Sequence, residues 1–321
     1  MVYLVTGGAG FIGSHLCERL LREGHLVLAV DNLSTGSYRN IAHLKSNPNF
    51  SLFVGDIRDK ELLEPLIQQS EMIFHLAAAV GVRLIIERPV ETLESNILGT
   101  HTVLSLAAKY NRKVLLTSTS EVYGKSNESA FAEDHDSVLG PSIRKRWSYA
   151  CSKLADEFLA LAFHEEKGLP VIIVRLFNTV GPRQTGRYGM VIPTLVRQAL
   201  LGEPLTVYGT GKQTRCFVHV NDVVDALLKL SQNDNALGQV INLGSDEEIS
   251  INELARLVKE ITGSPSEILY IPYDKAYQPG FEDMDRRRPD IGKAKCLISF
   301  EPSKGIREII QDVAEDIKLK L

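Results

Sequence analysis

The sequence predicts an α/β protein in which helices cover both faces of a doubly wound parallel sheet. Short apolar segments alternate with helical patterns as far as residue 176, and six of these segments predict strands: YLVTG, HLVLAV, FSLFVGD, MIFHLA, KVLLTST and PVIIVRL. A glycine-rich turn follows the first segment. With 321 residues, 44% of them hydrophobic, the chain is long enough for this sheet and a smaller second region.

The glycine-rich turn, TGGAGFIGSH, joins the first predicted strand to a helix that we expect from Ser14 to Arg22. Gly7, Gly10 and Gly13 lie three residues apart, which permits a tight turn, close approach of phosphates and close packing of the helix on the strand. Free backbone N–H groups and the positive helix end favour a pyrophosphate at this turn. The segment therefore predicts a dinucleotide site and a Rossmann-type fold.

Asp31 ends the second predicted strand, where a carboxylate accepts hydrogen bonds from the adenosine ribose and repels a 2′-phosphate. NAD is therefore favoured over NADP as the cofactor, and we expect Arg39 to be a solvated loop charge. Asp56 and Ile57 follow the third strand and Ala77 and Ala78 the fourth, so they lie at the carboxyl edge where such sheets bind ligands.

Composition and charge exclude several classes of protein. The formal net charge is −4 and the basic residues are dispersed, which argues against nucleic-acid binding. The apolar runs are too short to cross a bilayer and the first residues form a strand, so we expect a cytoplasmic protein that does not contact membranes. The four cysteines and eight histidines show no ligand spacing, so we predict no metal and assign His75 to the core.

The pattern changes after Phe177, which predicts a second lobe. Residues 177–215 contain a glycine- and arginine-rich stretch and a helix from Val191 to Leu201, whereas residues 216–244 return to strand and helix character. Amphipathic helices follow from Ile249 onward. We therefore assign residues 1–176 and the return segment 216–244 to the dinucleotide-binding domain, and residues 177–215 and 245–321 to a smaller substrate lobe.

Tyr149 and Lys153 lie four residues apart on a predicted helix and therefore share one face. A free tyrosine has a pKa of about 10, but an adjacent ammonium and a nicotinium charge favour the phenolate, which makes Tyr149 a usable base. The strand KVLLTST delivers Thr119, with Ser120 and Glu121 after it, to the same sheet edge. A hydroxyl substrate held by Thr119 can then lose its proton to Tyr149 and hydride to a nicotinamide.

At this point the chain resembles the extended short-chain dehydrogenase/reductase family, and within it the NAD-dependent nucleotide-sugar epimerases, dehydratases and decarboxylases. Nearly the whole chain carries the resemblance, through TGGAGFIGSH, DNLSTG, GDIRD, HLAA, SNILGT, STSEVYG, YACSK, RLFNTVGPR, GEPLTVYGTGKQTRCFVHVNDVV and RRRPDIGKA. It implies a UDP-sugar substrate. The expected NAD-binding residues are Gly7, Gly10, Phe11, Ile12, Gly13, Asp31, Asn32, Asp56, Ile57, Ala77, Ala78, Asn96, Tyr149 and Lys153.

The resemblance also implies a substrate-binding set. Asn178 and Arg215 would hold the UDP diphosphate, and Arg287 a phosphate or a substrate carboxylate. Asp290 would contact the ribose of the sugar nucleotide or anchor Arg287. The remaining expected residues lie near the sugar pocket, where an arginine can hold a uronate carboxylate: Arg183, Arg187 and Val191.

Three reactions of this family begin with oxidation at sugar C4. A 4,6-dehydratase normally carries Asp-Glu after the strand threonine, so Ser120-Glu121 weakens that interpretation. STSEVYG and the RW before Ser148 match UDP-glucuronate decarboxylases, whose products are UDP-xylose or its 4-keto precursor. DNLSTG and the C-terminal motif favour a UDP-sugar 4-epimerase, in which the 4-keto sugar rotates and hydride returns to its other face.

We expect the 4-epimerase, with the decarboxylase as the alternative. Two other interpretations remain open. One is a catalytically silent NAD-binding protein, because fold alone does not establish chemistry. The other is a simple alcohol dehydrogenase, which would accumulate NADH. The resemblance further implies a homodimer, formed by the apolar faces of the helices around Glu94 to Lys109 and Tyr149 to Phe163.

Overall fold

A computed structural model describes residues 1–80, 88–126, 128–186, 190–272, 284 and 286–321. Strands are numbered in chain order, and seven of them form one parallel sheet in the order β11-β6-β5-β4-β1-β2-β3. This arrangement confirms the predicted doubly wound sheet and all six of its predicted strands. The strands of the sheet are β1 (Val2–Thr6), β2 (Leu26–Asp31), β3 (Phe50–Val54), β4 (Met72–His75), β5 (Lys113–Thr119), β6 (Val171–Leu176) and β11 (Val240–Leu243).

Helices cover both faces of this sheet, as the alternating pattern predicts. One apolar core lies under α1, α6 and α8, and a second lies under α2, α3 and α4. Helices α3 and α4 pack side by side. The helix bounds are α1 (Phe11–Arg22), α2 (Lys60–Gln69), α3 (Pro89–Tyr110), α4 (Ser148–Lys167), α5 (Val191–Leu201), α6 (Val220–Ser231), α7 (Ile251–Thr262), α8 (Gly292–Ile298) and α9 (Ile306–Lys318).

A third apolar core lies outside the main sheet, among α5, α7 and α9. Three two-stranded pairings accompany it. The pairs are β7 (Thr179–Val180) with β10 (Val218–His219), β8 (Leu205–Tyr208) with β13 (Ile268–Ile271), and β9 (Thr214–Cys216) with β12 (Glu248–Ser250). Between these elements the chain returns to the main sheet through α6 and β11.

Strand β13 carries no clear sequence signal and was not among the predicted strands. Its four residues are all apolar or aromatic, yet Leu269 and Tyr270 are exposed, so the alternation typical of a half-buried strand is missing. Pairing with β8 makes it a strand. No helix within the described ranges is long and apolar enough to cross a membrane.

Candidate active site

The glycine-rich turn lies between β1 and α1, at the carboxyl edge of the sheet. Gly7 has a φ of +73°, and its N–H donates to the carbonyl of Val30 at 2.7 Å. A Cβ on Gly13 would lie 2.1 Å from the Gly7 carbonyl oxygen, so α1 can pack on this turn only with glycine there. Helix α1 begins at Phe11 after Gly10, with no side-chain cap. Its first N–H groups, including those of Ile12 and Gly13, therefore have no intrahelical partner and fit a pyrophosphate.

Asp31 lies beside this turn and is buried. Its carboxylate accepts hydrogen bonds from the N–H of Ala9 at 2.9 Å and of Leu33 at 2.8 Å. Burial raises the pKa of Asp31 above its ordinary value, although these N–H groups oppose the shift. The second strand therefore ends in a carboxylate fixed next to the turn, where it fits an adenosine ribose.

The other expected cofactor residues follow β3 and β4. Asn32 and Asp56 approach each other at 3.4 Å, and Asp56 also forms a two-point ion pair with Arg58. Ile57 is buried against Gly99. Asn32 and Asp56 therefore lie together just after the ends of β2 and β3.

Asn96 of α3 connects the end of β4 to α4. Its Oδ1 accepts from the N–H of Ala79 at 2.8 Å, and its Nδ2 donates to Ser152 at 3.0 Å. The N–H of Ala77 donates to the hydroxyl of Thr6 at 3.2 Å. Ala77 and Ala78 are therefore held beside the glycine turn, where their small side chains leave room for a ligand.

Tyr149, in the first turn of α4, lies close enough to Thr119, at the end of β5, for the Thr119 side chain to lower the phenol pKa. The two expected catalytic residues are thus brought together. Burial raises the pKa of Tyr149 above its ordinary value, and the negative charges of Glu121 and Asp156 raise it further, while the Thr119 side chain opposes the rise. Without a ligand, Tyr149 is therefore a phenol at neutral pH.

Lys153 lies one turn further along α4 and is buried. Its Nζ donates to Oδ2 of Asp156 at 2.8 Å. Behind Asp156, buried polar side chains extend through α3 and β4 to the last residue of β1, and the contacts from Thr100 through His75 to Thr6 lie at hydrogen-bond distance. We call this set the Lys153 cluster: Lys153, Asp156, Thr100, His75 and Thr6.

His75 is the central member of the Lys153 cluster. Its Nδ1 lies 2.7 Å from the Thr6 hydroxyl and its Nε2 lies 3.1 Å from the Thr100 hydroxyl. Burial, and then the charge of Lys153, lowers the pKa of His75 to about 3. The imidazole is therefore neutral at neutral pH, which agrees with its assignment as a satisfied core residue.

Glu121 forms a second buried charge cluster, two residues after Thr119. Both Arg146 and Arg287 contact its carboxylate, with an Nη2–Oε1 distance of 2.8 Å for Arg287. Although burial raises the pKa of Glu121, Arg287 and Arg146 together lower it to about 2. This Glu121 cluster (Arg146, Glu121 and Arg287) is therefore ionised throughout the neutral range, and Ser120 is buried beside it.

Asn242 of β11 ties together the segments that carry the Glu121 cluster. Its Oδ1 accepts from the hydroxyl of Tyr123 at 2.8 Å, and its Nδ2 donates to the carbonyls of Phe131 at 2.8 Å and Asp290 at 3.2 Å. Tyr123 follows Glu121 by two residues, and Asp290 follows Arg287 by three. One buried amide therefore fixes the chain on both sides of the ion pair.

Two expected substrate residues lie in β9 and in the chain that follows β6. Asn178 donates from Nδ2 to the carbonyl of Cys216 at 2.8 Å, which joins the end of β6 to β9. Arg215 is buried in β9, where its Nη1 donates to the carbonyl of Thr214 at 2.7 Å. Val191 is the first residue of α5, and Arg187 lies outside the described residues.

Arg183 and Asp290 have partners that the sequence did not suggest. The guanidinium of Arg183 lies on α1, where it pairs with the carboxylate of Glu18 and donates to Ser14. The side chain of Asp290 accepts from the N–H of Gly292 at the start of α8. Glu121, and not Asp290, is therefore the anchor of Arg287.

Sequence reasoning missed Arg146 and Asp156. Asp156 follows Lys153 by three residues on α4 and therefore shares its helical face, whereas Arg146 lies in the 3-10 turn Lys145–Trp147 that precedes α4. Acidic residues on the inner face of a helix are a usable signal of a buried ion pair. The partner of Arg146, which is Glu121 after β5, cannot be deduced from such spacing.

Comparison with known proteins defines the class. Residues 3–244 match the NAD dependent epimerase/dehydratase family, and the chain belongs to this family. The match confirms the resemblance to extended short-chain dehydrogenases/reductases and identifies the cofactor as NAD, which fits the uncapped turn and Asp31.

Individual relatives act on UDP-sugars. The chain is 43% identical to a UDP-N-acetyl-α-D-glucosaminuronate decarboxylase of Bacillus cytotoxicus, over 96% of both chains. It is 39% identical to UDP-glucuronic acid decarboxylase 1 of Xenopus tropicalis, over 95% of this chain and 69% of that one. The crystal structure of a UDP-glucuronic acid 4-epimerase from Bacillus cereus, with UDP-glucuronic acid and NAD, aligns over 100% of both chains with a TM-score of 0.90 and 30% identity.

Proposed function

We propose that this protein is an NAD-dependent UDP-uronate decarboxylase, which oxidises the sugar at C4 and releases C6 as carbon dioxide. The sequence motifs placed 4-epimerisation first. Similarity now favours decarboxylation, because relatives named decarboxylases reach 43% and 39% identity, whereas the epimerase structure is 30% identical. Epimerases and decarboxylases of this family both begin with oxidation at sugar C4, so the assignment depends on which side chains lie beside the sugar.

The Glu121 cluster is the observation that carries the proposal. Two buried guanidinium groups, from Arg146 and Arg287, meet at one carboxylate two residues from Thr119. Guanidinium groups bind carboxylates with two parallel hydrogen bonds, so this position suits the C6 carboxylate of a uronate. Because its pKa is about 2, Glu121 remains negative and repels that carboxylate, which favours its departure as neutral carbon dioxide.

Tyr149 and Thr119 supply the preceding step. In the bound state, NAD supplies the acceptor for the hydride that leaves C4. Thr119 holds the C4 hydroxyl, and Tyr149 takes its proton once a cation has lowered the phenol pKa. The ketone lies β to the C6 carboxylate, so the electrons of the C5–C6 bond move toward the ketone oxygen, where the hydroxyls of Tyr149 and Thr119 stabilise the negative charge.

The lobe assignment completes the proposal. We assign NAD to residues 1–176 and 216–244, and the UDP-sugar to residues 177–215 and 245–321. Asn178 and Arg215 hold the diphosphate in this proposal, and Arg287 holds the sugar carboxylate.

A homodimer through α3 and α4 is also proposed, because Leu98 and Phe158 expose 52% and 68% of their surface on these packed helices.

Product analysis tests the proposed function. Purified protein with NAD is incubated separately with UDP-glucuronate and UDP-N-acetylglucosaminuronate, each labelled with ¹³C at C6, and followed by NMR. We expect the label in carbon dioxide and bicarbonate and a UDP-pentose or its 4-ketone as the sugar product.

Other products would support other functions. A C4-inverted UDP-uronate that retains its label would establish the epimerase. Stoichiometric NADH with the label retained would indicate a simple dehydrogenase. Binding of UDP-sugar without any turnover would indicate a silent NAD-binding protein. The comparison of the two substrates tells which uronate is preferred.

A further inference from the structure

Lys153 and Asp156 form an ion pair that is almost fully enclosed. Their side chains are 2% and 0% exposed, and the Nζ–Oδ2 distance is 2.8 Å. Removing both charges from water costs several kcal/mol, so such a pair is weak evidence for stability and is often replaceable by apolar residues. Stability alone therefore does not explain a buried carboxylate beside the expected catalytic lysine, and we infer that it has a role in the chemistry.

Buried polar side chains lie behind Asp156. The Thr6 hydroxyl accepts from the N–H of Ala77 and lies 2.7 Å from Nδ1 of His75, whose Nε2 lies 3.1 Å from the Thr100 hydroxyl. The Thr100 side chain opposes the rise that burial causes in the pKa of Asp156. Within the described residues, Oδ1 of Asp156 has no hydrogen-bond partner, so Lys153, through Oδ2, is the group that holds this carboxylate.

Three other titratable side chains interact electrostatically with Tyr149, Asp156 or Lys153, and each of them has a described partner. On the side of β5, Glu121 pairs with Arg146 and Arg287. On the side of β6, Glu157 of α4 forms a two-point ion pair with Arg175 and accepts from Ser118. His75, from β4, is neutral. Among the described residues, Asp156 is therefore the carboxylate that contacts Lys153.

We propose that Asp156 is a positioning residue that fixes the ammonium of Lys153 next to Tyr149 and offsets part of its positive charge. The proposal rests on the proposed function only in taking Tyr149 as the base. An unopposed ammonium would make the phenol ionise more readily. The Asp156 carboxylate keeps the phenol protonated until a second cation, the nicotinium ring, is bound beside it.

The test measures the ionisation of Tyr149 in the NAD-saturated protein without any sugar. Ultraviolet difference absorbance of tyrosinate is recorded against pH, and the same titration of Tyr149→Phe is subtracted to isolate Tyr149. We expect Asp156→Asn to lower the midpoint by about one unit, because a negative charge near the phenol is removed. With a UDP-sugar that the protein turns over, the acidic limb of the plot of kcat/KM against pH should shift by the same amount.

Glu157→Gln is the matched control. It also neutralises a buried, cation-paired carboxylate of α4, but one that contacts Arg175 instead of Lys153. We expect it to lower the midpoint of thermal unfolding and to leave the tyrosinate midpoint unchanged. Asp156→Ser, which retains an oxygen acceptor for Lys153, gives the same downward shift and replaces Asp156→Asn if that variant does not fold.

An unchanged or higher tyrosinate midpoint in folded Asp156→Asn and Asp156→Ser would overturn the proposal and leave Asp156 with a structural role. The titration needs no substrate, so this outcome is separate from the question of decarboxylation. If ¹³C labelling instead identified an epimerase, the tyrosinate shift would still be expected.

Discussion

Two buried charge clusters each contain a carboxylate whose charge acts on Tyr149, and the two clusters are built differently. In the Lys153 cluster one cation meets one carboxylate, and neutral side chains fill the rest of the cluster. In the Glu121 cluster two guanidinium groups converge on one carboxylate. We propose that the first arrangement fixes the position of Lys153 and that the second receives an anion. On this proposal, the Lys153 cluster prepares the base and the Glu121 cluster meets the substrate.

The largest expected effect is that of Tyr149→Phe, which removes the hydroxyl whose pKa both clusters affect. Turnover should fall by about 1,000-fold or more because proton transfer at the C4 hydroxyl is lost. Binding of UDP-sugar, measured by calorimetry, should be retained. Tyr110→Phe, which removes a hydroxyl that bonds Glu64 far from the site, is the control and should keep full activity. Near-normal turnover of Tyr149→Phe would remove Tyr149 from the mechanism.

Glu121→Gln tests whether the Glu121 cluster acts on the substrate. We expect release of carbon dioxide to fall by about 100-fold, because the charge that drives the carboxylate out is lost. Oxidation at C4, followed by NADH absorbance in a single turnover, should change much less. Glu157→Gln neutralises another buried arginine-paired carboxylate and should leave both rates near those of the wild type. An unchanged rate of carbon dioxide release in Glu121→Gln would count against the decarboxylase.

Arg146→Met tests the cation that sequence reasoning missed. Loss of one of the two guanidinium groups should lower kcat/KM for the UDP-uronate by about tenfold, or ~1.4 kcal/mol. UDP-glucose, which lacks the carboxylate, serves as a binding probe and should keep its affinity. Arg286→Met, which removes an exposed arginine paired with Glu248, is the matched control. Equal losses of affinity for both sugars would mean that Arg146 does not distinguish the carboxylate.

The Glu121 cluster should also make stability depend on pH. The pKa of Glu121 is lowered from 4.5 to about 2, so its contribution is present above pH 4.5 and is lost as pH falls toward 2. This shift corresponds to about 3 kcal/mol at neutral pH. Urea unfolding should therefore show a difference between the wild type and Glu121→Gln that is constant near neutrality and shrinks in acid. A difference independent of pH would contradict the lowered pKa.

The smallest effect on activity is expected from a substitution on the outer face of α4, away from both clusters. Phe158→Glu places a charge on the proposed dimer contact and should shift the mass in light scattering from twice 35.6 kDa to 35.6 kDa. The activity per chain should fall only modestly. Leu319→Glu, at a residue that is 89% exposed after α9, should leave the mass unchanged. A wild-type mass of 35.6 kDa would refute the homodimer.

The fold was predictable because its signals are local. Each strand of the main sheet is a short apolar run with a turn after it, and the glycine spacing identifies the first crossover. The pair of Tyr149 and Lys153 was also predictable, since residues four apart on a helix share a face. Strand β13 was missed because its apolar residues are half exposed and only its pairing with β8 defines it.

Partnerships between distant side chains could not be predicted in this way. Arg287 lies 166 positions after Glu121, and nothing in the RRRPD segment tells whether its partner is Asp290 or a residue of another element. Arg183 is similar, because the carboxylate that it contacts belongs to α1. Such pairings depend on how elements pack, and burial then decides which charges need a partner.

The buried amide of Asn242 has a consequence for protein engineering. Because it joins the chain after Glu121 to the chain after Arg287, the two halves of that ion pair are held by a strand at the far border of the sheet. Transferring only Glu121, Arg146 and Arg287 to a related protein would therefore supply the charges without the Asn242 hydrogen bonds that fix their spacing. A working graft must carry the asparagine as well.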